Sequence, residues 1–406
     1  MTVGIVTTWF ERGAAYVSRQ FQETLEKEHK VYIYARGGEK NIVPGPEWEG
    51  PRITRGINTV LPYITAIDRS DFCRWLAENE IDTVLFNEQR WWLPVLWCRQ
   101  LGLKVGAYVD YYTEQTIELF NVYDFLICNT KRHYGVFSGH PQCIYIPWGT
   151  DLDVYKPAER FSASDRTLTF FHSAGMNPSR KGTDLLLDAF GRLPDSSRLV
   201  IHSQVELVGN LTEQCQLIRK LQQENRLDVI EVTVPAPGLY HLGDVYVYPS
   251  RLDGIGLTLV EAAACGLPVI ATDFPPMSEF VTNDNGKLVA VDNYIPRFDG
   301  YYWPQAIVNI ESLCESMLYY VNNIEALPLF KEAARRTAVN RFDWRQNSAE
   351  LSQIINGMRI LQGNEMRRSE ALVLNFEKNR ESTPGLSNWN KGLMARLRSF
   401  AGRMAR

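Results

Sequence analysis

The sequence predicts an α/β protein built from two parallel-sheet domains. Three observations carry that prediction. Short apolar runs of strand character alternate with segments of helical period along most of the chain, the pattern of a mostly parallel sheet with crossover helices. The length of 406 residues is enough for two domains with full cores. The stretch from Val245 to Val281 reads as strand, glycine-rich loop, helix, tight turn, strand, loop and short helix, and such loops lie at the strand ends where α/β sheets bind ligands.

Composition narrows the class. The chain is 45% apolar, 12% aromatic and 22% charged, as in an ordinary soluble protein. A net charge of −4 gives no reason to expect a nucleic-acid partner. The seven cysteines contain no Cys-x-x-Cys and read as buried thiols in a reducing compartment. Thr2–Thr8 already has strand character, so no signal peptide is expected, and no apolar run approaches a membrane span. A cytoplasmic location follows.

Residues 2–35 open with a βαβ unit. Val3–Val6 is a strand, Tyr16–Glu28 a helix with Val17, Phe21 and Leu25 on one stripe, and Val31–Tyr34 the next strand. The loop Trp9-Phe10-Glu11-Arg12-Gly13-Ala14 is a site candidate, being at a strand's carboxyl end. It lacks Gly-x-Gly-x-x-Gly, which disfavours a dinucleotide. Helices over Asp71–Asn79 and Trp91–Leu101 alternate with strands at Thr83–Phe86, Val105–Val109, Phe125–Cys128 and Ile144–Pro147. Glu88 and Arg90 follow one strand, Asp110 and Tyr111 another, so all four face one sheet edge. Each alone fits local capping or ion pairing; together they are candidate acceptor contacts.

The second half begins with strand Leu168–His172, polar loop Ser173–Lys181 and helix Asp184–Phe190. Strands at Arg198–His202, Val229–Val232 and Val245–Tyr248 follow, with a helix over Leu211–Asn225. In the loop Asp253-Gly254-Ile255-Gly256 the glycines let backbone N–H groups approach a ligand closely. Thr258 opens a helix over Leu259–Ala264, closed by Gly266. A glycine loop feeding a helix start is an anion site. Asp253 and Glu261 flank it, although Thr258 and Glu261 also fit a capping box. The aromatic insertion Tyr294–Trp303 reads first as a packed Ω-loop and second as a sugar platform. Helices over 311–325, 328–341 and 344–361 complete the pattern.

The run Tyr248–Val281, with A-A-A-C-G-L-P-V-I-A inside it, resembles the donor-site signature of GT-B fold retaining glycosyltransferases, glycosyltransferase family 4-like (glycosyl transferases group 1). Lys181-Gly182 before an L-L-x-A-F-type helix resembles the second donor motif, and Trp148–Pro157 the interdomain linker. The resemblance implies two Rossmann-like domains facing across a cleft: an acceptor domain over 1–150, a nucleotide-sugar donor domain over 151–345, and a C-terminal crossing helix with a tail over 346–406. It implies that Asp253 binds donor-sugar hydroxyls and Glu261 the ribose. Lys181 and Arg180, with the loop Gly254, Ile255, Gly256, Leu257 and Thr258, would hold the diphosphate. Gly13 and Ala14 would lie against it, and Pro235 against the base. Arg12, Glu88, Arg90 and Tyr111 would serve the acceptor.

The sequence departs from the family in three places. Asp253 stands where a glutamate is usual, Met176 where an arginine is usual, and Val109 where a histidine binds the donor sugar. Arg180 and Asp110 are the nearest substitutes. The Asp151-x-Asp153 pair reads as a linker turn and not as a metal site.

The implied function is transfer of a sugar, with retention and without metal or cofactor, to a carbohydrate or lipid-linked saccharide in polysaccharide biosynthesis. A UDP-sugar, glucose-like, is favoured over a GDP-sugar. The alternatives are a nucleotide-sugar epimerase on the same fold and a non-catalytic scaffold docked at a membrane. From Glu365 onward nine Lys/Arg face four Glu, and Trp389, Leu393, Leu397, Phe400 and Met404 recur at helical spacing. Such a basic amphipathic tail suits the anionic inner face of the plasma membrane, or a helix packed on the first domain.

Overall fold

The computed structural model describes residues 1–37, 45–59, 63, 65–158 and 167–381. The chain forms two units. The first opens with β1 (Thr2–Thr7), α1 (Gly13–Leu25), β2 (Lys30–Ala35), β3 (Ile53–Arg55), α2 (Arg69–Glu78), β4 (Thr83–Asn87), α3 (Leu93–Gln100), β5 (Lys104–Tyr108) and β6 (Phe125–Cys128). After α4 (Lys131–Phe137) comes β7 (Cys143–Tyr145). The strands lie in the order β3-β2-β1-β4-β5-β6-β7. β1 pairs in parallel with β2 and β4, and Val3, Ile5 and Val6 are buried, as in a parallel sheet whose crossover helices cover its faces. Helix α1 starts at Gly13, three residues before the start that the apolar stripe suggests. Arg12 is extended there, and its carbonyl accepts from Ala15 and Tyr16 N–H. Tyr34, Phe72 and Trp75 pack as one aromatic cluster, with the Tyr34 ring centroid 5.1 and 5.2 Å from the other two.

The second unit holds β8 (Leu168–Gly175), α5 (Thr183–Phe190), β9 (Ser197–Ser203), α6 (Leu207–Asn210), α7 (Cys215–Gln223), β10 (Leu227–Glu231), β11 (Val245–Tyr248), α8 (Leu257–Ala264), β12 (Val269–Thr272), α9 (Met277–Phe280) and β13 (Gly286–Val289). Its sheet runs β10-β9-β8-β11-β12-β13, all pairs parallel. A separate antiparallel ribbon follows, β14 (Val291–Ile295) with β15 (Gln305–Val308). Helices α10 (Ile310–Asn322), α11 (Leu327–Arg341) and α12 (Trp344–Asn347) complete the unit. Leu186, Phe190, Leu199, Ile201, Val247 and Leu313 anchor its core.

The helix expected over 344–361 is broken. Ser348 turns its hydroxyl back to the Trp344 carbonyl, 2.6 Å away, a local bond that competes with helix propagation. The chain resumes as α13 (Leu351–Gly357) and α14 (Asn364–Glu381). Residues from Leu351 onward cluster with the first unit, and residues 128–138, which include α4, with the second. The division therefore does not follow a single cut near residue 150. Asp151 and Asp153 both pair with Arg345 of α12, at 3.1 and 2.5 Å. All seven cysteines are free thiols. No described helix is long and apolar enough to cross a membrane. Trp389 and the tail beyond it lie outside the described residues.

A buried ion pair fastens the returning segment. Arg99 meets Asp124 at 2.8 Å, with side chains 7% and 0% exposed. Arg99 also donates to the Leu361 carbonyl and to Glu370, and Asp124 accepts from Leu361 N–H. Removing one partner leaves the other charge buried, so Arg99→Ala should cost about 3–5 kcal/mol. Arg198→Ala, which breaks an exposed pair with Asp228, should cost only about 0–1 kcal/mol. Chemical denaturation of both variants measures the contrast.

Candidate active site

The site is built on the carboxyl ends of β8 and β11. After β8 the chain turns through Pro178 and Ser179 to Gly182, which caps α5 in the left-handed region at φ 72°. A Cβ there would lie 2.0 Å from the Pro249 carbonyl oxygen. Only glycine permits that approach, which brings the turn holding Lys181 against the loop after β11. Arg251 locks the two together. Its N–H donates to the Arg180 carbonyl at 2.9 Å, and its guanidinium takes Asp184 at 2.6 and 2.7 Å.

Lys181 Nζ therefore meets Asp253 Oδ2, and the Tyr248 hydroxyl joins both. The Lys181 and Asp253 side chains are 14% and 15% exposed. Burial pushes the Asp253 carboxyl up, but Lys181 and Arg180 outweigh it and hold the group well below the usual carboxylate range. Asp253 is thus a carboxylate and Lys181 its ammonium partner. Arg180 contributes charge from a half-exposed position. Met176 is exposed on the same turn.

Gly256, at φ 91°, caps α8. The helix begins at Leu257, and no side chain caps it, so the Thr258–Glu261 capping box does not form. The reason is that Glu261 has a better partner. Tyr240 donates its hydroxyl to Glu261 Oε2 at 2.5 Å, and Tyr155 also hydrogen-bonds the carboxylate. Tyr240 is fixed edge-on by Phe171 and Tyr246, each 5.7 Å away. Burial raises the Glu261 pKa, against the two tyrosine hydrogen bonds and Lys181. Pro235 lies on the exposed loop that leads from β10 to Tyr240, and its carbonyl accepts from Gly238 N–H.

Three residues of α4 and α9 support the glycine loop, and no sequence motif marks them. Arg132 donates to the carbonyls of Asp253 and Pro275 at 2.5 and 2.6 Å. His133 Nε2 lies 3.1 Å from the Gly254 carbonyl. Burial first, and Arg132 second, push the His133 pKa down to about 3, so the ring is neutral and donates to that carbonyl. Glu279 accepts the first N–H groups of α4, from Lys131 and Arg132, at 2.5 and 2.8 Å. Tyr248, Tyr240 and Tyr155 were likewise invisible to motif spacing, since tyrosines in a buried sheet read as core.

The other candidates lie on the first unit. Gly13 and Ala14 form the start of α1, where the Ala14 carbonyl accepts from Asn87 at 2.9 Å. Arg12 pairs with Glu88 at 3.4 Å. Glu88 has φ 54°, an uncommon conformation for a side-chain-bearing residue. Arg90 stacks on Tyr111 at 3.8 Å from the ring centroid. Asp110 is half-buried just beyond β5. The buried Arg36, which donates to the Asn87 carbonyl at 2.6 Å, organises this edge and is not motif-linked.

Two parallel Rossmann-like sheets, each with its ligand-bearing edge at the strand carboxyl ends, define the GT-B class. Residues 167–298 match the model of the family described as Glycosyl transferases group 1. It is 30% identical over 159 residues to a lipopolysaccharide core biosynthesis mannosyltransferase, LpsB, of Rhizobium meliloti, covering 36% of this chain and 45% of that protein. It is 25% identical over 382 residues to a GDP-mannose-dependent α-(1-6)-phosphatidylinositol monomannoside mannosyltransferase of Mycolicibacterium smegmatis, covering 84% and 93%. The chain spans about half the length of the first curated relatives it matches, 45% and 53%. In structure it is similar to Anabaena Alr3699/HepE, solved in complex with UDP-glucose, with TM-score 0.67 at 16% identity over 88% of this chain and all of that one.

The Gly182 contact is testable by stability. Gly182→Ala combines left-handed strain with a backbone clash and should cost roughly 1–3 kcal/mol. A thermal melt unchanged from wild type would show that the turn relaxes freely.

Proposed function

We propose that this protein transfers a hexose from a nucleotide diphosphate sugar to a saccharide or lipid-linked saccharide acceptor. The observation that carries the reading is the convergence of Lys181, Asp253 and Tyr248 beside the glycine-capped start of α8. A diphosphate leaving group gains charge as the glycosidic bond breaks. Lys181, Arg180 and the N–H groups at Gly256–Thr258 would stabilise that charge, with no metal ion needed. In the bound state Lys181 turns from Asp253 to the phosphate, which frees the carboxylate for donor-sugar hydroxyls. Glu261, oriented by Tyr240, accepts from the ribose hydroxyls. The reading includes a retaining route in which the departing phosphate takes the acceptor's proton on the face it leaves, so that no side-chain nucleophile is needed.

The donor base is open between two choices. The relatives named above include a GDP-mannose enzyme, and the similar structure holds UDP-glucose. A thermal-shift panel of UDP, GDP, UDP-glucose and GDP-mannose should show stabilisation by one base family. No shift with any of the four would overturn the reading, and altered sugar without acceptor would mark an epimerase. Lys181→Ala should weaken the stabilising nucleotide roughly tenfold or more, the loss of a charge-assisted contact.

The raised Glu261 pKa sets a pH dependence. Donor affinity should be full where Glu261 is ionised and fall as pH drops through its pKa, at a pH above that of an exposed glutamate. Asp253 stays ionised in that window. Titrating nucleotide-sugar affinity by calorimetry tests this: Glu261→Gln should bind more weakly and lose the acid-side fall.

A further inference from the structure

The insertion after β13 is the β14–β15 ribbon with the loop 296–304 between its strands, and it packs only in part: Tyr301 is buried, while three other aromatic side chains stand in solvent. Phe298 at the turn is fully exposed at 102%, with Tyr294 at 51% and Tyr302 at 42%. A protein does not ordinarily leave such a cluster in water without a use for it. The ribbon is also no independent appendage. Ala306 N–H donates to the Arg251 carbonyl at 2.8 Å, two residues before Asp253. The Trp303 ring lies under the Arg132 guanidinium at 5.1 Å, the same guanidinium that holds the Asp253 carbonyl. Phe274 bridges Tyr294 and Trp303, with centroids 5.2 and 6.5 Å away. The aromatic surface is thus continuous with the loop assigned to the donor sugar.

We propose that this ribbon is an acceptor subsite that stacks on saccharide rings. The proposal rests on the transferase reading and adds where the acceptor binds. Aromatic faces cover the apolar C–H faces of pyranose rings, while neighbouring polar groups meet the hydroxyls. Both are present here: the rings alternate with Asp292, Asn293 and the Arg297–Asp299 ion pair at 2.5 Å. A bilayer is the less suitable occupant. Within residues 291–308 two aspartates outnumber one arginine, and that arginine is neutralised at the turn beside Phe298. Such a ribbon is repelled by an anionic surface.

The test uses the full chain and a variant, Tyr294→Ser with Phe298→Ser, which leaves Trp303 and the donor loop intact. Wild type and variant are applied to a printed oligosaccharide array and to phosphatidylcholine and phosphatidylglycerol vesicles, and both are melted with and without UDP and GDP. The expected result is array binding by wild type that weakens at least about fivefold in the variant, with an unchanged nucleotide shift. No oligosaccharide bound by wild type, or equal binding by the variant, overturns the proposal. Vesicle binding lost in the variant without a saccharide difference overturns it in favour of a membrane role. Loss of the nucleotide shift in wild type would defeat the transferase reading separately, because array binding is scored without nucleotide.

Discussion

The Lys181–Asp253 cluster depends on one close approach, Gly182 against the Pro249 carbonyl. A side chain at 182 would push the β8–α5 turn away from the β11 loop. Lys181 would then miss Asp253, and Arg251 would miss Asp184. The parallel sheet supplies two neighbouring strand ends, but their loops are chemically joined only because one residue has no Cβ.

Charge explains the rest of the local design. A lysine and an aspartate this enclosed are tolerable as a pair and costly singly. Here they satisfy each other, with Tyr248 completing the hydrogen bonds. In the proposed donor complex a diphosphate would take the lysine and release the carboxylate toward the sugar. Glu261 is managed differently. Burial raises its proton affinity, against the two tyrosine hydrogen bonds and the more distant charge of Lys181. Two acids eight residues apart thus have different ionisation behaviour for different tasks, one facing cations and the other facing hydroxyl donors.

The parallel α/β class, most strands and the Lys181–Asp253–Glu261 set were legible in the sequence. Strand residues are apolar runs of fixed length, and the glycine loop leaves an ordered signature. Helix ends were less legible. The start of α1 depends on the Arg12 backbone, and the break at Ser348 on one hydroxyl bond. The capping role offered by Thr258 and Glu261 was locally sensible, and Tyr240 defeated it from twenty-one residues away. The insertion Tyr294–Trp303, expected to pack, does so only at Tyr301 and Trp303, because composition reports that aromatics are present, not which way they face.

The sequence by itself determined the two-sheet architecture and marked Lys181, Asp253 and Glu261 as site candidates, because these reside in contiguous runs whose spacing is set by strand and helix geometry. Only the tertiary structure decided how those residues are supported. Arg132 and His133 reach the Asp253–Gly254 loop from α4, which lies more than a hundred residues earlier and folds with the second unit. Tyr248 turned from a core tyrosine into the third member of a charged cluster. Contacts of that kind arise from chain crossings and packing, and local pattern holds no record of them.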